Sequence, residues 1–204
     1  MANTNAPFGV ADWQSGMGAA PTFEEINVTV SSGAAAIGYG DPVKKLDTGY
    51  AARWTPGTAV SQLAGIFVSC RYFSVSQQQI VQRNYWPGSD ASGDVTAKLV
   101  PCNLAVPGRF LVQSDATGIA FADIGQNIDL AMGSVNTTTG WSGAYLDTGT
   151  IGTGATLPFR ILGLLGVGGE NAPIGPNGTN GLQAGAYNLV IVAANVSGAG
   201  STGI

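Results

Sequence analysis

The chain contains no histidine, and its two cysteines, Cys70 and Cys102, stand far apart with no CxxC pair. Serine and cysteine triads therefore lose their usual base, and a zinc site has no ligand set. Charge is scarce as well: Asp, Glu, Lys and Arg make up 10% of 204 residues, with a net charge of −4, where an ordinary soluble domain carries about 25%. The eight Lys and Arg are scattered, which leaves nucleic-acid binding without an electrostatic footprint. The longest apolar stretches, 157–167 and 189–194, are too short to span a bilayer, and Arg160 interrupts the first. No basic segment precedes an apolar core at the start, so no signal peptide is read there. An intracellular chain keeps its thiols reduced, and both cysteines are expected to be buried and free. A bond between them would instead stabilise the fold by roughly 3–4 kcal/mol.

What the chain has in quantity is glycine and proline, 31 and 10 residues, alongside 45% hydrophobic residues. Frequent turns with enough apolar side chains for a core point to an all-β protein. The stretch 38–73 holds this pattern most clearly. Asp41-Pro42 ahead of Val43 reads as a turn entering a strand, because Pro fixes φ and biases its predecessor to extended geometry. The apolar run 63–68 reads as a buried strand, because β-branched and aromatic residues fit a pleated sheet packed on a core. Ile26, Val28 and Val30 alternate with Asn27 and Thr29, a half-buried strand. Further strands are expected at 42–46, 50–54, 63–73, 79–86, 95–100, 109–113, 158–165 and 187–193. Their short, regular punctuation favours an antiparallel β-sandwich or barrel, jelly-roll-like, over strand–helix alternation.

The domain expectation is an extended N-terminal arm over 1–22, a β-rich body over 23–196 and a flexible tail over 197–204. The body divides into possible sub-lobes 23–113 and 119–196. The arm lacks any period and carries isolated anchors, Phe8, Trp13 and Met17, which dock on its own body or on a neighbour. Segment 134–154, rich in Thr, Gly and Ser, is expected to be an irregular surface loop bearing Trp141 and Tyr145. The loop 166–185 is long enough to be functional.

Chemistry is hard to find. The tripeptide Asp-Thr-Gly occurs at 47–49 and 147–149, as in aspartic proteases, but without the apolar framing a catalytic copy needs. Most acids sit in turn contexts, where a carboxylate accepts backbone N–H groups. Gly166-Val167-Gly168-Gly169 lacks the third glycine of a dinucleotide fingerprint, and no Gly-Lys-Ser/Thr exists. The expectation is therefore no enzyme, no cofactor, no metal, no nucleic acid and no membrane. The candidates left are aromatic and apolar contact residues: Phe8, Trp13, Met17, Trp54, Trp86, Trp141 and Tyr145. The four tryptophans all fall in loops or at strand ends, which would also suit the sugar platforms of a β-sandwich carbohydrate-binding module. That is the alternative reading.

The segments Ala2-Asn3-Thr4-Asn5-Ala6-Pro7-Phe8-Gly9, Gly40-Asp41-Pro42-Val43, 65–72 and Tyr85-Trp86-Pro87 resemble tailed-bacteriophage capsid cement (head decoration) proteins. So do Asp123-Ile124-Gly125-Gln126-Asn127, 137–140 and Phe159-Arg160-Ile161-Leu162-Gly163, in order over most of the chain. The sequence departs from that family after Phe8-Gly9, and 166–185 looks like an insertion. The resemblance implies a structural virion protein, made in the host bacterial cytoplasm, that binds the outside of an assembled head. Its partners would be the major capsid protein and copies of itself, as a dimer or trimer. A neutral polar surface suits such contact, since few charges must be desolvated.

Overall fold

The computed structural model describes residues 4–14, 24–102, 108–166, 169–170 and 185–195. Thirteen strands are described: β1 Ala11–Gln14, β2 Ile26–Val30, β3 Pro42–Lys45, β4 Ala51–Arg53, β5 Leu63–Ser74, β6 Gln79–Arg83, β7 Val95–Pro101, β8 Arg109–Gln113, β9 Asn127–Ala131, β10 Tyr145–Gly152, β11 Phe159–Gly166, β12 Gly169–Glu170 and β13 Leu189–Ala194. The protein is all-β, with antiparallel sheets and a closed barrel, as the turn-punctuated strand pattern leads one to expect.

One sheet runs β3-β4-β2-β7-β5-β6. A further pairing of β3 with β5 joins its ends, so five strands close into a barrel and β6 projects from it as the outer arm of a hairpin. At Gly65 the backbone of β5 lies so close to the carbonyl oxygen of Val100 in β7 that a Cβ would clash with it. The second sheet runs β1-β8-β13-β11-β9-β10, with β12 paired to β11.

β5 explains how the two sheets share side chains. Its first half, Leu63 to Phe67, is buried on both faces. Ala64 and Phe67 join the barrel interior with Val30, Val43, Trp86 and Leu99, while Leu63 and Ile66 join the second core with Phe110, Leu130, Phe159 and Val192. Its second half alternates, Cys70, Tyr72 and Ser74 inward against exposed Arg71 and Phe73. The unbroken apolar run and the alternating run thus record burial on two faces and on one.

Three expectations are corrected. The folded body does not begin at Phe23: Val10 is a core residue, 1% exposed, and β1 pairs antiparallel with β8 through Ala11↔Leu111 and Asp12↔Phe110. Gln113 also clasps the arm, its Oε1 accepting from Ala6 N at 3.0 Å and its Nε2 donating to Thr4 O at 2.9 Å. Segment 134–154 is not loop throughout, because Tyr145–Gly152 forms β10. The crossing between sheets falls between Pro101 and Arg109 rather than at 114–118, which puts β8 with the second sheet. Met17, the tail 197–204 and most of the 166–185 loop lie outside the described residues.

Candidate interaction surface

The tryptophans separate into inside and outside. Trp54 and Trp86 are core residues at 2% and 0% exposure, so neither is a surface platform. Trp54 directly follows β4 and donates its Nε1 to Asp129 Oδ1 at 3.1 Å, bridging the barrel to the second sheet. Trp86 packs edge-on against Tyr72, ring centroids 5.1 Å apart, and donates to Ala34 O. Both look like loop residues because their partners are distant in sequence. Phe8 and Trp13 are half-buried on the docked arm, and the Trp13 Nε1 is buried with no hydrogen-bond partner among the described residues.

Trp141 is 42% exposed and leans on Tyr39 at 5.3 Å. Its loop is fixed to the barrel by strand-like bridges: Tyr39 N donates to Gly140 O, and Ser142 N to Tyr39 O. Beneath it lies Asp41, fully buried. The Asp41 carboxylate accepts Arg53 Nε at 2.7 Å, Arg53 Nη2 at 3.0 Å, Gly38 N at 2.7 Å and the Ser142 hydroxyl. Arg53 reaches on to the Gly133 carbonyl. Asp41 does shape its turn, as expected, yet it also ties the barrel to the loop carrying Trp141. Tyr145 is half-buried and lines a cavity of about 230 Å³ with Asn5, Ser114, Asp115 and Tyr187. The Ser114 hydroxyl there already donates to Asn188 Oδ1 at 2.6 Å, and Asp115 is engaged as well. Partial burial pushes the Asp115 carboxyl up, but hydrogen bonds from Thr148, Thr117 and Gly118 outweigh it and hold the group below its ordinary range.

Large apolar groups that sequence reasoning passed over are exposed on the β5–β6 hairpin: Phe73 at 43%, Val75 at 49% and Ile80 at 58%. Phe73 and Ile80 are direct cross-strand partners, so they share a face. The signal was present in the sequence: alternation along 69–73 places Phe73 with Arg71, opposite Tyr72.

Among the described residues no group of three or more His, Cys, Asp or Glu is arranged to hold a metal. The Asp-Thr-Gly copies lie in different settings: Asp47 is exposed in the turn between β3 and β4, and Asp147 in β10 accepts from Gly149 N at 3.0 Å. Both cysteines are free and buried, and burial pushes the Cys70 thiol up to about 12, against an opposing effect of Arg83. Comparison with family models, curated proteins and solved structures finds no match to the chain.

Proposed function

We infer that this chain is a structural virion protein, which binds the outer surface of a tailed-phage capsid and cements neighbouring major capsid subunits. The observation that carries the reading is the surface. An all-β body with scarce charge presents large apolar side chains that fill nothing in its own core, Phe73, Val75 and Ile80 on a projecting hairpin and Trp141 on a braced loop. Burying such groups on a partner contributes roughly 1.5–3 kcal/mol each before ordering costs, and a low-charge rim is inexpensive to desolvate. A shell under outward pressure from packaged DNA needs contact area across its subunit junctions, and repetition over the lattice turns modest contacts into avidity. No chemistry is required of the protein.

The test is attachment. Purified protein mixed with undecorated heads should co-sediment at a copy number near that of the major capsid protein, and Trp141→Ala should weaken retention on dilution. Failure of wild-type protein to bind any head, or retention on a glycan column, ends this reading. The carbohydrate-binding alternative loses two of its four tryptophan platforms, because Trp54 and Trp86 are buried.

A further inference from the structure

We propose that the free edge of β6 is a self-association site, where β6 of one copy pairs antiparallel with β6 of a second copy across a two-fold axis at Val81. The inference rests on this edge alone and not on the head-binding reading.

β6 pairs with β5 on one side, and no other described strand pairs with it. Exposed edges normally carry protection, such as proline, lysine, an inward charge or a bulge that twists the edge away. Gln79–Arg83, QIVQR, has no proline, lysine or bulge, and its one charge, Arg83, stands at the end of the strand on the face of its partner Cys70. Its register with β5 runs unbroken from Cys70↔Arg83 to Ser74↔Gln79, so the edge is regular along its whole length. Beside it stand the exposed apolar side chains of Phe73, Val75 and Ile80. A regular edge with a single charge at its end, flanked by uncovered apolar surface, is a template for one more strand.

Charge selects the orientation in which a second copy fits. β6 carries one charge, Arg83, and no carboxylate. In an antiparallel pair centred on Val81, Val81 faces Val81 of the second copy, Ile80 faces Gln82 and Gln79 faces Arg83. The two Arg83 side chains are then four residues apart along the strand, about 14 Å at about 3.4 Å per residue, beyond the screening length of about 8 Å at physiological salt. Parallel pairing would set Arg83 beside Arg83 and is disfavoured by like-charge repulsion. The antiparallel arrangement is isologous, so it closes at two copies and does not propagate. It also covers Ile80 with the aliphatic part of Gln82 from the other copy. A five-residue strand and a hairpin tip bury less than the roughly 800 Å² per partner of a standard interface, so the dimer forms as concentration rises and strengthens wherever copies are held side by side.

Disulfide trapping of the full-length protein, without heads, tests the register. The native thiols are buried and give little background. Under mild oxidation Val81→Cys should yield a covalent dimer. Gln79→Cys alone should yield at least about tenfold less, because its two sulfurs would start some 14 Å apart and a disulfide needs Cα atoms within about 7 Å. A mixture of Gln79→Cys and Arg83→Cys should restore the cross-link. In sedimentation, Ile80→Asp should move the wild-type dimer–monomer balance toward monomer at an unchanged melting temperature, a readout that does not depend on the cysteine variants folding. A wild-type protein that stays monomeric to about 100 μM, well above the affinities typical of specific interfaces, overturns the proposal. So does equal cross-linking of Val81→Cys and Gln79→Cys.

Discussion

Asp41 illustrates how much a single residue can hold in a protein so poor in charge. It is buried, paired bidentately with Arg53 and reached by Gly38 and Ser142. Removing one member of such a pair leaves the other charge without compensation, which costs about 3–5 kcal/mol. Asp41→Ala is therefore expected to lower the denaturant midpoint strongly, whereas Ser142→Ala, which loses one hydrogen bond, should cost about 1 kcal/mol. Equal midpoints for Asp41→Ala and wild type would mean that the pair contributes nothing. Asp12 behaves in the opposite sense. Burial first, and the nearby Glu25 second, push its carboxyl from 3.8 up to about 6. A carboxyl that holds its proton more tightly when folded favours the fold while protonated. That contribution is complete below about pH 4 and is lost as the pH rises through about 6. Asp12→Asn should then raise the melting temperature at pH 7, with the gain fading toward pH 4. A gain that is the same at both pH values would show that ionisation is not its cause.

At the scale of elements, the N-terminal segment departs furthest from its appearance. Four residues of edge strand, Ala11–Gln14, are too few to show a period of two, and Gly9 lies in the left-handed region at φ +80 packed against Ser142. Nothing local distinguishes that from a loose arm; what fixes it is Val10 N donating to Gly40 O at 2.8 Å and the Val10 side chain in the core. Deleting residues 1–14 should lower the melting temperature of the body, and Val10→Ala should cost about 2 kcal/mol through lost burial and the cavity left behind. A truncated body that melts with the full chain would make the segment dispensable. The same local blindness hid β10. Its Thr and Gly residues read as loop, and its pairing with β9 jumps from Asp147↔Asp129 to Gly152↔Asn127, five positions opposite two, which breaks any alternation. By contrast β2 was legible because it alternates, β13 because it is apolar throughout, and β5 because it does each in turn. The candidate surface was half legible for the same reason. Exposure of Trp141 follows from its loop, while burial of Trp54 and Trp86 depends on partners such as Asp129 and Ala34, 75 and 52 residues away.

For the whole molecule, the decisive feature is that one of the two cores is shared between the barrel and the second sheet. Val10, Trp54, Leu63, Ile66, Val100 and Cys102, from the arm and the barrel, sit in one cluster with Phe110, Leu130, Leu146, Phe159, Ile161 and Val192 of the second sheet. Pulling the sheets apart would expose all of these at once, and burial contributes about 25 cal/mol for each Å² of apolar surface, so neither half retains its stability without the other. Unfolding is therefore expected in one cooperative step. Tryptophan fluorescence, which reports Trp54 and Trp86 in their buried sites, should trace the same denaturant curve as far-UV circular dichroism, which reports the strands of both sheets. A fragment spanning 24–102 should accordingly fail to show a cooperative transition, although it contains every strand of the barrel, because the outer wall formed by Leu63, Ile66 and Val100 would face water. Two separated transitions in the full chain, or a cooperative melt of that fragment, would mean that the barrel folds alone and that the shared cluster is only an interface between independent lobes.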